Sequence, residues 1–239
     1  MEIKKTTQKG RLIGVGVGPG DPELLTVKAI RTLEQADFIA YPTSGKQADG
    51  SEPSNLALNI VRDHVKNARL LEYLMPMSRD KEYVRKMHEE CAADIKKHLD
   101  SGQTIAFITL GDPSIYSTYM YIHKIIEAAG YDTSLVPGIP SFCAAAASLN
   151  DSLCEGDEPL LIVPAGYDVL DEALDYQGNK VFMKSGRTLA SLREKLEKKG
   201  LIDKTRMVVK ASLPDEKTYF DMKAAPEKSS YFSLLILKN

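Results

Sequence analysis

Short apolar runs alternate with amphipathic stretches along the first part of the chain. Five runs, at residues 12–17, 37–42, 69–74, 104–110 and 133–136, have the length and apolar content of buried strands. The stretches between them carry apolar residues at helical spacing. Strands that alternate with helices in this way predict a parallel α/β sheet with right-handed crossovers.

The pattern changes from about Glu155 onward, where strands follow one another with fewer helices between them. Strands are predicted at 159–164, 180–184, 206–211, 218–222 and 230–237, and helices at 170–174 and 188–199. We therefore expect two α/β domains, residues 1–136 with a parallel five-stranded sheet and residues 137–239 with a mixed sheet. A cleft between two such domains is a natural place for a ligand.

The longest predicted helix spans residues 79–99 and carries an apolar stripe. The members of the stripe recur every four residues and are expected in the core: Tyr83, Met87, Cys91, Ile95 and Leu99. His88 and His98 lie among the charged residues of the same helix, so we expect both side chains to be solvated.

Gly and Pro residues follow three of the predicted parallel strands. They form the loops 18–20, 111–113 and 137–138, and residues 114–119 are predicted to begin the helix after the second loop. Ligands bind at the carboxyl ends of the strands in open parallel sheets. These three loops are therefore the first candidates for a binding site.

The first of these loops is not a phosphate-binding loop of the dinucleotide or Walker type. Pro19 removes a backbone N–H that such a loop would use, and Asp21 would repel phosphate at the start of the next helix. A Lys-Ser or Lys-Thr pair is also absent from the motif.

Composition and charge narrow the function classes. With 239 residues, 43% hydrophobic content and a net charge of −2, the chain gives no indication of a nucleic-acid partner. It has no apolar run of about 20 residues, and its polar N-terminus lacks a signal core, which predicts a cytoplasmic protein without membrane spans. Three cysteines without metal-ligand spacing predict free thiols and no metal site.

Three ordered motifs resemble the tetrapyrrole (corrin/porphyrin) methyltransferase family. They are residues 14–26 (GVGVGPGDPELLT), 109–118 (TLGDPSIYST) and 136–142 (VPGIPSF), and the resemblance extends from about Arg11 to Lys238. Within the family, residues 116–119 (YSTY) and 141–147 (SFCAAAA) most resemble the precorrin-2 / cobalt-factor-II C20-methyltransferases of cobalamin biosynthesis.

The resemblance implies two α/β domains that bind S-adenosylmethionine in the cleft between them, and a homodimer. Carried over by position, the implied cofactor contacts are Pro19, Leu110, Gly111, Asp112, Ile115, Ser117, Thr118, Ser141, Phe142, Met183, Ala211 and Ser212. Two positions depart from the family pattern. Pro140 stands where relatives usually carry Thr, and Ser212 where many carry Gly.

The implied reaction is an in-line transfer of a methyl group to the electron-rich C20 carbon of a reduced tetrapyrrole. Because this carbon is itself the nucleophile, no Ser or Cys has to be activated, and catalysis would consist mostly of positioning the two reactants. Asp112 is the candidate acceptor of the C20 proton, although it could instead bind the cofactor or the backbone. The many carboxylates of the substrate call for cations and donors, for which the candidates are Tyr116, Lys184, Arg187 and Arg79. Cys143 is expected to be a small core residue of the alanine-rich helix.

Other functions remain open at this point. A uroporphyrinogen-III C-methyltransferase shares the motifs, but there the Gly-Asp-Pro is usually followed by Phe. A non-catalytic tetrapyrrole- or nucleotide-binding protein would hold its ligand without turnover. The sequence also leaves open whether the substrate contains cobalt.

Overall fold

A computed structural model describes residues 9–43, 55–66, 68–76, 78, 80–165 and 170–238 of the chain. The chain divides into two compact units, Met1–Ile139 and Pro140–Asn239. The sequence placed the boundary after residue 136, slightly before the division between Ile139 and Pro140.

The first unit contains a parallel sheet of five strands. The strands are β1 (Arg11–Gly16), β2 (Phe38–Thr43), β3 (Arg69–Leu74), β4 (Thr104–Thr109) and β5 (Asp132–Val136). Their order across the sheet is β3-β2-β4-β1-β5, and every neighbouring pair is parallel. The predicted parallel α/β sheet is confirmed.

Helices cover both faces of this sheet. They are α1 (Val27–Gln35), α2 (Leu56–Val61), α3 (Lys81–Asp100) and α4 (Tyr119–Ala128). Alternate residues of a strand point to opposite faces. In β4, Phe107 packs in a cluster with α3 and α4, whereas its neighbour Ala106 packs in a cluster with α1 and α2. Burial on both faces explains the unbroken apolar runs of the central strands.

The buried face of α3 differs from the predicted stripe. Cys91, Ile95 and Leu99 are buried, but Tyr83 is 41% exposed. Positions spaced by four drift about 40° around a helix of 3.6 residues per turn, so the stripe does not reach Tyr83. The prediction of solvation is wrong for His88, which is only 6% exposed and lies within the contact between α3 and α4.

The helix after β4 begins later than predicted. Residues 114–118 follow an irregular path of turns and bends, and α4 begins at Tyr119. Tyr116 has a left-handed backbone with φ of 48°, which interrupts a right-handed helix. The Ser117 hydroxyl accepts the Tyr119 N–H at 3.3 Å, so a side chain rather than a preceding helical turn satisfies this donor.

The second unit contains a mixed sheet, as predicted. Its strands are β6 (Leu160–Pro164), β7 (Asn179–Met183), β8 (Thr205–Val209), β9 (Lys217–Tyr219) and β10 (Ser233–Leu237), in the order β6-β7-β10-β8-β9. Only the β6–β7 pair is parallel. The helices are α5 (Ser141–Ser148), α6 (Leu170–Asp175) and α7 (Leu189–Lys198). β9 is shorter than predicted, because a short 3-10 helix, Met222–Ala224, soon follows it.

Candidate functional site

The carboxyl ends of β4, β1 and β5 lie side by side in the first sheet, and the loops that follow these strands contact one another. Gly18 and Gly111 form an isolated antiparallel bridge, in which the Gly111 N–H donates to the Gly18 carbonyl at 2.8 Å. The Val17 N–H donates to the Thr109 carbonyl at 3.0 Å. The Gly/Pro loops that the sequence singled out therefore meet at one edge of the sheet.

Glycine is required here because the backbones are in direct contact. A Cβ atom on Gly138 would lie 2.2 Å from the Gly111 carbonyl oxygen, and one on Gly16 would lie 2.5 Å from the Gly138 nitrogen. No side chain fits between backbones at these distances. The strand-end backbones therefore pack on one another with no side chain between them.

Asp112 connects two of these loops through its carboxylate. Its Oδ2 accepts the Gly138 N–H at 3.0 Å, and its Oδ1 accepts the Ser114 N–H at 2.8 Å together with the Ser114 hydroxyl. The residues after β4 and those after β5 are therefore held by one side chain. Charge-assisted hydrogen bonds of this kind are among the stronger ones in proteins.

The turn between Asp112 and α4 is tied back to β4. The Thr109 and Ser117 hydroxyls are 2.9 Å apart, and the Ile115 N–H donates to the Asp112 carbonyl at 3.3 Å. The structure thus brings the predicted cofactor residues of the first unit into two contacting loops: Pro19, Leu110, Gly111, Asp112, Ile115, Ser117 and Thr118. Tyr116, predicted to bind substrate, lies in the same turn and is 48% exposed.

Tyr119 anchors the start of α4 beneath this site. The side chain is 1% exposed, and its hydroxyl lies 3.1 Å from His123 Nδ1. A Cβ atom on Gly14 would lie 2.1 Å from the Tyr119 ring, so the glycine in β1 makes room for it. Burial raises the pKa of Tyr119, and a hydrogen bond to the Gly14 backbone lowers it in part. The phenol is therefore a neutral packing group at ordinary pH.

In the second unit, Ser141 and Phe142 form the first residues of α5. Pro140 occupies the N-cap position of this helix. It provides no side-chain hydrogen bond there, because proline lacks the hydroxyl that a Thr would offer. Its carbonyl accepts the Cys143 N–H at 3.1 Å. Cys143 is exposed, so the prediction of a core position is wrong. The helix turns its small residues Ala144 to Ala146 inward instead.

The remaining cofactor candidates follow two strands of the second sheet. Met183 is the last residue of β7, while Ala211 and Ser212 come soon after β8. Ser212 has a left-handed backbone with φ of 61°, which is the conformation that a glycine adopts most easily. This geometry agrees with the glycine that the family pattern leads us to expect at this position.

Glu216 holds this loop and was missed by the sequence reasoning. Its Oε2 accepts the Ser212 N–H at 2.5 Å and the Ser148 hydroxyl at 2.9 Å. In the sequence, Glu216 differs from other surface carboxylates only in lying four residues after Ser212, across Pro214, and this spacing is a weak signal. Only the folded loop brings these groups together.

The predicted substrate cations differ in how far the structure describes them. The Lys184 ammonium lies 5.7 Å from the centre of the Tyr231 ring. Arg187 ends the short 3-10 helix Ser185–Arg187, and Arg79 lies outside the described residues.

Among the described residues, no three His, Cys, Asp or Glu side chains are grouped to hold a metal ion. In the same part of the chain, no helix is long and apolar enough to cross a membrane.

Comparison with known sequences gives a consistent set of relatives. The sequence model of the Tetrapyrrole (Corrin/Porphyrin) Methylases matches residues 11–225. The probable cobalt-precorrin-2 C(20)-methyltransferase of Methanocaldococcus jannaschii is 36% identical, over 95% of this chain and 96% of that protein. The precorrin-2 C(20)-methyltransferase of a Sinorhizobium species is 31% identical, over 95% of both chains. The cobalt-precorrin-2 C(20)-methyltransferase of Salmonella typhimurium is 30% identical, over 88% of this chain and 87% of that protein.

Solved structures with the same fold include two methyltransferases. A cobalt precorrin-4 methyltransferase superposes with a TM-score of 0.71 at 20% identity, over 95% of this chain and 94% of that chain. The uroporphyrin-III C-methyltransferase of Thermus thermophilus, complexed with S-adenosyl homocysteine, superposes with a TM-score of 0.68 at 20% identity, over 96% and 98%. At this level of identity the likeness establishes the fold.

Proposed function

The chain belongs to the tetrapyrrole (corrin/porphyrin) methylase family, and from this premise we propose that it methylates C20 of precorrin-2 or of its cobalt complex in cobalamin biosynthesis. The methyl donor is S-adenosylmethionine. The observation that carries the proposal is the similarity, over nearly the whole chain, to three proteins named for methylation of this substrate at this carbon.

The residues at the strand ends of the first unit fit S-adenosylmethionine. Gly16 and Gly138 let the backbones at the strand ends pack directly on one another, because an added Cβ would lie 2.5 Å from the Gly138 nitrogen or 2.2 Å from the Gly111 carbonyl oxygen. The loops held together in this way carry the exposed Thr118 and the half-buried Ile115, which suit a ligand with both polar and apolar parts. When bound, S-adenosylmethionine supplies a methyl group activated by a positively charged sulfur.

We assign the full set of cofactor contacts by family position. In the first unit they are Pro19, Leu110, Gly111, Asp112, Ile115, Ser117 and Thr118, and in the second unit Ser141, Phe142, Met183, Ala211 and Ser212. Five of the first set belong to the loop that Asp112 organises, from Leu110 to Ser117. Two of the second set belong to the loop that Glu216 organises.

In this reaction the protein has to hold the methyl donor and the C20 carbon of the substrate in line. The electron-rich C20 would itself be the nucleophile, and the sulfur of the cofactor would leave with the electron pair of its bond to the methyl group, so no side-chain nucleophile has to be activated. Holding two reactants in line can contribute roughly 7–11 kcal/mol to lowering a barrier. Asp112 supports placement by fixing two strand-end loops relative to each other. That Asp112 accepts the C20 proton stays a prediction, which the Asp112→Asn variant tests.

Basic and aromatic residues are proposed to hold the carboxylates and the ring of the substrate. The candidates are Tyr116, Lys184, Arg187 and Arg79. Tyr116 and Lys184 both have left-handed backbones, with φ of 48° and 58°. Non-glycine residues in this conformation are uncommon and concentrate at binding and catalytic sites.

Methyl transfer measured under anaerobic conditions tests the proposal. Precorrin-2 and its cobalt complex are offered in parallel with S-adenosylmethionine, and the product is analysed by mass spectrometry and NMR. We expect one added methyl group on C20, and the preferred substrate decides whether cobalt is inserted before this step. Methylation of uroporphyrinogen III alone would favour that alternative activity. Tight binding of a tetrapyrrole without any transfer would favour a binding protein.

Two further properties are proposed, the first from the family and the second from the composition. We expect the chain to form a homodimer, and to act in the cytoplasm, where its three cysteines stay reduced. All three are free thiols in the structure.

A further inference from the structure

Strands β7 and β8 end at the same edge of the second sheet. Each is antiparallel to β10, which lies between them, so the two strands are parallel to each other. The start of β10 lies at this edge as well, with Ser233 opposite Val209. The loops after both strands are bonded to it. The Ser185 hydroxyl donates to the Ser233 carbonyl at 2.9 Å, and the Lys210 N–H donates to the Phe232 carbonyl at 2.8 Å.

A lysine with a left-handed backbone follows each of these strands. Lys184 comes directly after β7 with φ of 58°, and Lys210 comes directly after β8 with φ of 56°. Glycine is the residue that suits this conformation, so a lysine there carries a local conformational cost. Since one strand separates β7 from β8, the two Cα atoms are about 10 Å apart. The repeated use of lysine at a glycine-like position points to a need for the two ammonium groups.

Two exposed aromatic rings lie at the same edge of the sheet. Tyr231 and Phe232 immediately precede β10 and are 41% and 39% exposed. Their ring centres are 5.4 Å apart at an angle of 84°, and the Lys184 ammonium lies 5.7 Å from the Tyr231 ring. Large aromatic residues that are exposed together usually mark a binding surface. The edge thus combines cations with an apolar face.

We propose that Lys184, Lys210, Tyr231 and Phe232, here called the lysine–aromatic edge, form a substrate-holding surface of the second unit. The inference rests on the proposed function and extends it by Lys210, Tyr231 and Phe232, which are not among the substrate candidates named above. A flat macrocycle rimmed by carboxylates matches the surface, because one ring can stack on its apolar face, the other can meet it edge-on, and each ammonium can pair with a carboxylate. Lys210 forms an ion pair with the exposed Asp215. Such pairs are weak, so a substrate carboxylate can replace Asp215.

Replacement of each lysine by glycine separates this role from a structural one. Lys210→Gly and Lys184→Gly remove the ammonium group and also relieve the left-handed backbone. We expect the KM for the tetrapyrrole to rise roughly tenfold in each variant, which is the loss of one charge-assisted hydrogen bond. The kcat and the affinity for S-adenosylmethionine should stay near the wild-type values. The Tm should be unchanged or higher by about 2 °C.

Three control variants sharpen the test. Lys210→Arg retains the charge and should retain a KM close to that of the wild type. Lys198→Gln removes an exposed lysine of α7 that pairs with Glu194, and it should leave the KM unchanged. Asn150→Gly relieves another left-handed position, with φ of 50°, without removing a charge, and it should affect only the Tm.

A KM that is unchanged in both lysine-to-glycine variants would overturn the inference, even if the wild type methylates C20 as proposed. A wild type that transfers no methyl group would overturn the proposed function instead. In that case anaerobic titration of precorrin-2, followed by its absorbance, still decides the role of the edge. Equal affinity of the wild type and Lys210→Gly for precorrin-2, or no binding of precorrin-2 by either protein, would reject the proposed role of the lysine–aromatic edge.

Discussion

At the scale of single residues, the candidate site depends on two carboxylates that accept hydrogen bonds from the backbone of its loops. Asp112 accepts hydrogen bonds from the residues after β4 and from Gly138 after β5. Glu216 does the same for the loop after β8. The two carboxylates therefore act on loop geometry, and through it on any ligand that contacts the loop backbones.

Asp112→Asn tests whether this carboxylate positions the loops or accepts a proton. The amide keeps one acceptor oxygen but turns an NH₂ group toward an N–H donor, so one hydrogen bond is lost. If Asp112 positions the loops, we expect the free energy of unfolding to fall by about 1–3 kcal/mol and the affinity for S-adenosylmethionine to weaken. Chemical denaturation and calorimetric titration measure the two effects.

Ser114→Ala is the matched control, because it removes a hydroxyl donor and leaves both backbone N–H bonds to Asp112 in place. It should change either quantity only slightly. A kcat that falls at least a hundredfold in Asp112→Asn, with unchanged stability and cofactor affinity, would instead identify Asp112 as the proton acceptor.

Gly138→Ala tests the direct contact between the strand-end backbones. The new Cβ would lie 2.2 Å from the Gly111 carbonyl oxygen, and backbone on either side cannot move away cheaply. We expect the free energy of unfolding to fall by about 2–4 kcal/mol, measured by urea denaturation. Gly130→Ala provides the comparison, because Gly130 has φ of 79° but no atom within 4 Å of the added Cβ. It should lose only about 1 kcal/mol, and an equal loss in both variants would contradict the clash.

At the scale of elements, the contact between α3 and α4 contains an unusual buried histidine. His88 stacks on Tyr121 of α4 with ring centres 5.0 Å apart and an angle of 12°. Its Nε2 atom is buried and has no hydrogen-bond partner among the residues that the structure describes. Burial lowers the pKa of His88 below its ordinary value of 6.5. The neutral imidazole is therefore the form that this helix pair accommodates.

This histidine should make stability depend on pH. As the pH falls below 6.5, His88 takes up a proton in the unfolded chain but not in the folded one, whose pKa is lower. The free energy of unfolding should therefore decrease through this window, by up to about 1.4 kcal/mol per pH unit from this group. Above pH 6.5 its contribution is constant.

His88→Phe keeps a ring to stack on Tyr121 and removes the titrating group. Denaturation curves of the wild type and the variant between pH 5 and pH 8 should differ in slope only below about 6.5, the ordinary histidine pKa. The same slope in both proteins would exclude His88 as the cause. His123 is a second buried histidine, and its contact with the Tyr119 hydroxyl is left intact by this substitution.

At the scale of the whole molecule, each unit has a core of its own. The residues 12–136 supply two clusters, one on each face of the parallel sheet, and the residues 163–237 supply a third cluster. The three clusters share no residue. Two layered cores of this kind are what alternating strands and helices followed by a strand-rich half predict.

The proposed homodimer is a property that only the intact chain can test. Sedimentation equilibrium should give twice the chain mass of 26.4 kDa over the micromolar range. A mass equal to that of one chain at every concentration would contradict the dimer. It would leave the methyltransferase proposal standing, since that rests on separate evidence.

Much of the candidate site could be proposed from the sequence because its residues are close together along the chain. Gly111 and Asp112 follow a strand that its apolar run identifies, and their places in the site depend on that strand end. Glu216 and Lys210 could not be selected in this way. Their significance lies in a hydrogen bond to Ser212 and in a left-handed φ, which are properties of the folded loop.

The sequence by itself determined the order of strands and helices, the parallel and mixed sheets, the Gly/Pro loops at the strand ends and the family. Periodicity and turn chemistry are local, so a linear reading captures them. Only the tertiary structure decided that α4 begins at Tyr119, that His88 is buried and Cys143 exposed, and that Asp112 joins two loops. Each of these depends on which distant backbone or helix face a residue meets, and packing across the sheet sets that.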